Sequence, residues 1–350
     1  MNERLKKLAS LFKEKGIDAL LVTSDPNIRY LTEFEASESW LLVGLNEVFY
    51  ITDFRYILEA KKGIKTASIQ QYTTSIHEKF FELTKAIHAK RIGFDQRHLS
   101  VAQYSLLKKY CPKAQQLVPT DNLVEKFREE KETREIKYIE KALDIHEQSF
   151  RYLQRIVKPG LTEREILLKL ERFVREKGVV FSFNPIIASG PNAALPHAKV
   201  TERKVHHNEV VLVDWGINYH GYKSDLTRMF FLGKIPNLIR RVNDTVRQAQ
   251  QRAIVSIKPG AVIADIDYQA RNYLEENNLG KFFGHALGHG VGLEIHEAPR
   301  LSQKNASILK AGMVITIEPA VYIPNKFGIR IEDMVLVTKK GYKVLSDHIY

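Results

Sequence analysis

The stretch Ile156-Val157-Lys158-Pro159-Gly160-Leu161-Thr162-Glu163-Arg164-Glu165-Ile166 has a counterpart one hundred residues later: Ser256-Ile257-Lys258-Pro259-Gly260-Ala261-Val262-Ile263-Ala264-Asp265-Ile266. Each copy carries Lys-Pro-Gly and then an isoleucine six residues after the glycine. Each follows one long helical stretch and leads into another. Each is later followed by an apolar strand that ends in a carboxylate, Val210 to Asp214 in the first copy and Met313 to Glu318 in the second. A second carboxylate follows each strand, Asp225 and Glu332. Two similar halves, each contributing two carboxylates from strand–turn–strand units, predict an internally duplicated domain with a site between its halves.

Hairpins of this kind place Asp214 near Asp225, and Glu318 near Glu332, on one face of paired strands. Carboxylates held that close repel one another unless positive charge lies between them. Four of them in a core require it, because buried isolated anions are costly. The segment from Gly284 to Glu297 holds three histidines, His285, His289 and His296, with His289 inside a glycine run. His289 and the four carboxylates make five side chains able to hold two divalent ions. Such sites clamp a hydrolytic nucleophile and polarise a carbonyl.

The first 123 residues alternate short strands and helices and read as a smaller α/β domain. They contain no Gly-x-Gly-x-x-Gly after a strand, and so no dinucleotide site. Asp25-Pro26 reads as a turn, and Asp53 as the N-cap of a helix opening at Asp53-Phe54-Arg55-Tyr56. The Asp53/Arg55 pair reads as a turn-fixing or inter-subunit contact. The boundary falls within Val124 to Lys131, giving domains 1–123 and 124–350. Net charge is +12, yet lysines and arginines are interspersed with glutamates and form no basic run with aromatics. That pattern reads as solvated surface, not a nucleic-acid face. No apolar run approaches the ~20 residues of a membrane span. The charged N-terminus reads as an amphipathic helix, not a signal peptide. The single cysteine, Cys111, reads as an inert half-buried residue and agrees with a reducing cytoplasm.

The motifs, taken together, resemble those of the pita-bread-fold metallopeptidases, the family of methionine aminopeptidase, Xaa-Pro aminopeptidase (aminopeptidase P) and prolidase. They stand here as Val213-Asp214-Trp215-Gly216, Ser224-Asp225-Leu226-Thr227-Arg228, Gly288-His289-Gly290-Val291-Gly292, Ile317-Glu318-Pro319 and Arg330-Ile331-Glu332. Pro26 to Thr32, Ile51 to Tyr56, Ala188 to Asn192, Leu195-Pro196-His197 and His285 resemble the Xaa-Pro aminopeptidase and prolidase branch. The histidine pair His206-His207 departs from the family's usual glycine-containing turn and is read as loop. The resemblance implies an α+β fold: a C-terminal pita-bread (creatinase/aminopeptidase) domain with internal duplication behind a creatinase-like α/β domain.

The resemblance also implies roles. Asp214 would chelate one metal, Asp225 and Glu332 would bridge two, and His289 and Glu318 would complete the second. Glu318 is the expected general base, with attack by metal-bound hydroxide on the carbonyl before proline. His296, His285 and His197 are expected around the substrate, His296 at the oxyanion and the others near the proline end. Arg330 and Tyr322 would orient ligands. Arg300, four residues after His296, reads either as the partner of a substrate carboxylate or as half of a surface ion pair. Hard oxygen donors favour Mn²⁺ and also admit Co²⁺ or Zn²⁺. The leading expectation is a cytoplasmic, homodimeric Xaa-Pro aminopeptidase acting on proline-containing peptides, with no nucleic-acid or membrane partner. The alternatives are a prolidase cutting Xaa-Pro dipeptides and, more remotely, a catalytically inactive binding protein. The intact ligand set speaks against the last and against a metal-free creatinase-like hydrolase.

Overall fold

Residues 1–349 are described by a computed structural model, in which the chain forms two units, Met1–Arg128 and Glu129–Tyr350. The first is built on a mixed sheet in the order β4-β3-β2-β1-β5-β6. Its strands are β1 (Ala19–Val22), β2 (Trp40–Val43), β3 (Val48–Thr52), β4 (Ser68–Gln71), β5 (Arg91–Asp95) and β6 (Gln116–Thr120). All four β1 residues are buried, as expected of a central strand covered on both faces. The N-terminal helix, Glu3–Ser10, buries Leu5, Leu8 and Ala9 and is capped by Asn2, which accepts from the Leu5 N–H at 2.9 Å.

Two local expectations fail in this unit. Asp25-Pro26 is not a turn: it opens the helix Asp25–Thr32, with proline in the first turn, where a missing N–H costs nothing. Asp53 is not an N-cap, because that helix starts later, at Ile57. The Asp53 carboxylate instead accepts from the Arg55 N–H at 2.8 Å and pairs with its guanidinium at 2.6 Å. His98, Glu125 and Asn27 form another knot, with Glu125 Oε1 taking both His98 Nε2 (2.6 Å) and Asn27 Nδ2 (2.5 Å).

The second unit is duplicated in its hydrogen bonds as well as its sequence. Gly160 and Gly260 both have positive φ, 95° and 83°, which glycine alone adopts without strain. Each follows a long helix (Thr133–Ile156 and Asn237–Val255) and precedes a fourteen-residue helix (Glu163–Glu176 and Ile263–Glu276). The amides of 160, 163 and 164 donate to the carbonyls of 205, 203 and 201. Those of 260, 263 and 264 donate to 309, 307 and 305. A shared Lys-Pro-Gly could recur by chance, but this matched ladder does not follow from the tripeptide alone.

The first half contributes a sheet of β8 (Ile186–Ser189), β9 (Glu209–Trp215) and β12 (Leu226–Leu232), with β9 central. A side hairpin, β10 (Ile217–Tyr219) and β11 (Tyr222–Lys223), branches off and pairs with β7 (Val180–Phe181). The second half contributes β13 (Gly288–Gly290), β14 (Glu297–Leu301), β15 (Val314–Ile317), β18 (Asp333–Val337) and β19 (Tyr342–Val344), in the order β14-β13-β15-β18-β19. Between β15 and β18 the chain makes the hairpin β16 (Ala320–Ile323) and β17 (Phe327–Arg330). Val242, Val246, Ala249 and Ala253 recur at helical spacing and belong to one core with Ile315, Ile317, Val335 and Val337. No helix among the described residues is long and apolar enough to cross a membrane.

Candidate metal centre

Asp214 lies one residue from the end of β9, and Asp225 stands immediately before β12. Their register is diagonal, with Asp214 opposite Thr227 and Asp225 two residues back on the same face. The sequence suggests one continuous hairpin here. The paired strands are instead interrupted at Gly216, where β10 and β11 leave the sheet. A Cβ on Gly216 would lie 2.0 Å from the Ser224 carbonyl oxygen, so only glycine lets the segment carrying Asp225 approach this closely. Gly216→Ala is expected to destabilise the fold by about 3 kcal/mol through that clash, measured as a lower denaturation midpoint at unchanged slope.

Glu318 and Glu332 occupy the crossing where the second hairpin changes sheets. Ile317 pairs with Asp333 on one side of them and Ala320 with Arg330 on the other. His289, on β13, reaches both pairs: its Nε2 lies 3.5 Å from Asp225 Oδ2 and 3.4 Å from Glu318 Oε1. Ligand atoms of Asp225, His289 and Glu332 lie within 4.8 Å of one another. His289 Nδ1 faces the Gly290 carbonyl at 3.1 Å. Nδ1 must therefore carry the proton, which leaves the Nε2 lone pair facing the carboxylates.

The electrostatics show what this arrangement lacks. Burial, then Glu332, Asp214 and Glu318, push Asp225 well above the ordinary carboxylate range. Burial with Glu318 and Asp214 does the same to Glu332. Glu318 is lifted by burial to about 8, and Asp214 is raised by burial although Arg330 opposes it. Burial, then nearby His296, lowers His289 to about 4, so its imidazole is neutral near pH 7. Asp214 Oδ1 is buried with no hydrogen-bond partner among the described residues. A buried orphan acceptor, mutually repelling carboxylates and an aimed imidazole lone pair fit divalent cations. The donors are oxygens and one nitrogen, with no thiolate among them.

Arg330 ties this cluster together. It is buried and donates to Asp214 Oδ2 (2.5 Å), Tyr322 Oη (2.7 Å), Thr227 Oγ1 (2.9 Å) and the Pro196 carbonyl (3.1 Å). His285 Nε2 lies 3.2 Å from Tyr322 Oη. The His296 ring stands edge-on to His289, with centroids 4.3 Å apart. Exposed His197, His296 and Arg300 and partly buried His285 line the same cavity of about 1160 Å³ as the carboxylates. Arg300 pairs with His289 across β13 and β14. Its guanidinium has no carboxylate partner among the described residues.

Three contacts escape the sequence reading. Thr227 Oγ1 donates to Glu332 Oε2 at 2.7 Å, linking the two halves. Thr316 Oγ1 accepts from the His289 N–H at 3.1 Å and lies 3.3 Å from Glu318 Oε1. Each threonine stands two residues from a carboxylate on its own chain, the strand period, so a signal was available. The third, a buried ion pair of Lys131 with Glu297 at 2.6 Å, joins distant residues without any local pattern.

Comparison with known proteins agrees with this geometry. Residues 137–339 match metallopeptidase family M24, and residues 4–129 match the creatinase/prolidase N-terminal domain. The chain belongs to the M24 metallopeptidase family. Within that family it is 34% identical to the Xaa-Pro dipeptidase of Pyrococcus horikoshii, over 99% of this chain and 97% of the relative. Its fold matches the Xaa-Pro dipeptidase from Bacillus anthracis with a TM-score of 0.95 at 36% identity, covering 99% and 97% of the two chains. It also matches the X-Pro aminopeptidase from Thermotoga maritima with a TM-score of 0.89 at 32% identity, covering 95% and 96%. As an M24 peptidase with a creatinase-type N-terminal domain, the chain is a pita-bread enzyme of the Xaa-Pro peptidase group.

Proposed function

We propose that this chain is a dinuclear, Mn²⁺-dependent Xaa-Pro dipeptidase. Asp214, Asp225, His289, Glu318 and Glu332 would hold the cations. Bound there, divalent cations neutralise the carboxylates, lower the pKa of water toward neutrality and polarise the scissile carbonyl. The chain's own groups do the rest. Glu318 accepts a proton from the attacking water and returns it to the proline nitrogen as that nitrogen leaves. His296 donates to the developing oxyanion. His285 and His197 line the substrate's proline end, and Arg330 with Tyr322 holds Asp214 and the cavity wall in place. A proline nitrogen carries no N–H, so a site that reads carbonyl and carboxylate suits it better than one needing that donor.

The finer choice of a dipeptidase rests on Arg300, a cation on the cavity wall beside His289 with no carboxylate partner among the described residues. A dipeptide presents its C-terminal carboxylate where a longer peptide has an amide. This reverses the order suggested by sequence, which favoured the aminopeptidase. The cavity volume of about 1160 Å³ favours that second reading, since it leaves room beyond a dipeptide. Mn²⁺ restored after chelation, followed by Xaa-Pro and Xaa-Pro-Xaa in parallel, decides between them. Arg300→Leu should raise KM for Xaa-Pro about 30-fold through the lost charged hydrogen bonds and leave Xaa-Pro-amide unchanged. Equal effects on both substrates would remove the carboxylate reading. Turnover of neither substrate by metal-loaded protein would end the peptidase proposal. A homodimer in a reducing cytoplasm is part of the same proposal, and the chain's single cysteine suits that compartment.

A further inference from the structure

In each half of the duplicated unit a fully buried carboxylate on the fourteen-residue helix grips the segment that carries one cavity histidine. In the first half it is Glu163, the first residue of its helix and fully buried. Its Oε1 accepts from the Ser189 N–H (2.7 Å), the Ser189 hydroxyl (2.8 Å) and Asn192 Nδ2 (3.0 Å). Its Oε2 accepts from the Thr201 N–H (3.0 Å) and the Thr201 hydroxyl (2.6 Å). These donors lie at the two ends of residues 189–201, and His197 lies between them.

In the second half the carboxylate is Asp267, also fully buried and one helical turn further along its own helix. Arg271 grips it at 2.8 and 3.0 Å, and the Leu287 N–H donates to it at 3.3 Å. Arg271 also donates to the carbonyls of Phe283 (3.0 Å) and His285 (2.9 Å). The backbone is thus held at 283, 285 and 287, around the His285 side chain. Both gripped segments then meet at Arg330, through the Pro196 carbonyl from the first and through Tyr322 and His285 from the second.

We propose that Glu163 and the Asp267–Arg271 pair are positioning residues, one set per half, that hold His197 and His285 over the carboxylate centre. The consequence for catalysis rests on the peptidase reading, whereas the clamps themselves do not. A carboxylate is suited to each place because it accepts only. Every group facing Glu163 is a donor, and a glutamine there would set its own N–H₂ against some of them.

Hydrogen exchange read by mass spectrometry tests the clamps without any substrate. Glu163→Gln should speed exchange across 189–201 at least ~10-fold and leave 283–287 as in the wild type, with opening confined to the segment that lost its bonds. Asp267→Asn should do the reverse. Each variant should keep the rise in Tm on adding Mn²⁺, and each should raise KM for the cleaved Xaa-Pro substrate about tenfold with a smaller change in kcat. Should either variant fail to fold, Asn192→Ala and Arg271→Lys trim the same clamps and should give the same crossed pattern. Equal loosening of both segments, no loosening of either, or loss of the Mn²⁺ response would overturn the proposal. So would a crossed exchange pattern beside an unchanged KM. If wild-type protein cleaves neither substrate, the peptidase reading fails, while the exchange pattern still decides the clamps.

Discussion

Glu318→Gln in metal-loaded protein is expected to lower kcat about 10³-fold while the protein stays folded. The magnitude follows from general acid–base catalysis, which contributes ~10²–10⁴-fold. The carboxylate is nearly enclosed, 3.4 Å from His289 Nε2 and 3.3 Å from the Thr316 hydroxyl. Glutamine keeps its shape and one acceptor oxygen but takes up no proton. Fold retention is expected because burial already lifts Glu318 to about 8, so it is largely neutral in the metal-free protein at pH 7. A neutral amide therefore replaces a mostly neutral acid. Steady-state kinetics with Mn²⁺ in excess, beside a thermal melt, measures both halves of the expectation. Excess metal matters because losing one ligand weakens cation binding as well as proton transfer. Turnover within tenfold of wild type would remove Glu318 from the proton-transfer role. The same substitution separates an enzyme from a binding module on this fold, since a binding module has no turnover to lose.

Much of this site is legible in the sequence because its residues sit in short patterns with physical causes. The Asp214 and Asp225 motifs carry the glycine and serine that let two backbones meet at Gly216 and Ser224. The second hairpin repeats the scheme with Glu318 and Glu332. The duplication is legible from one tripeptide, and the ladders around Gly160 and Gly260 supply what that tripeptide could not. Legibility stops where structure depends on pairs far apart in the chain. Nothing near Glu163 announces that it will gather Ser189, Asn192 and Thr201, because a glutamate in a helix's first turn is ordinary on charge grounds alone. Asp53 misleads for a related reason. An aspartate before a helical pattern suits an N-cap, but Arg55 two residues on offers a stronger partner, and the helix begins after that turn. At Asp25-Pro26 the proline looks like a breaker although it stands where a helix tolerates it.

Stripping the cations should lower Tm, and the gap between metal-loaded and metal-free protein should widen from pH 5.5 to pH 8. The sign follows from the raised carboxylates. Glu318 titrates at about 8 in the metal-free fold, against 4.5 for an exposed glutamate, and burial among neighbouring carboxylates raises Asp225 and Glu332 well above their ordinary values too. In the unfolded chain these groups lose their protons near pH 4–4.5, at the ordinary values for Asp and Glu. Between those limits the folded state binds more protons than the unfolded one, so metal-free stability falls as pH rises. It is fully present below about pH 4, and Glu318 contributes its loss up to about pH 8. Each tenfold difference in proton affinity between the folded and unfolded states costs about 1.4 kcal/mol, and each kcal/mol moves Tm by roughly 3 °C in a protein this large. Cations remove that cost by binding the ionised carboxylates, and they add mass-action stabilisation of about 3 kcal/mol at a hundredfold excess over Kd. Metal-loaded protein should therefore keep its Tm as pH rises while metal-free protein loses several degrees. Paired melts in chelator and in Mn²⁺ at pH 5.5, 6.75 and 8 measure the gap. A gap that narrows toward pH 8 would mean that the four carboxylates do not share one buried, cation-requiring site.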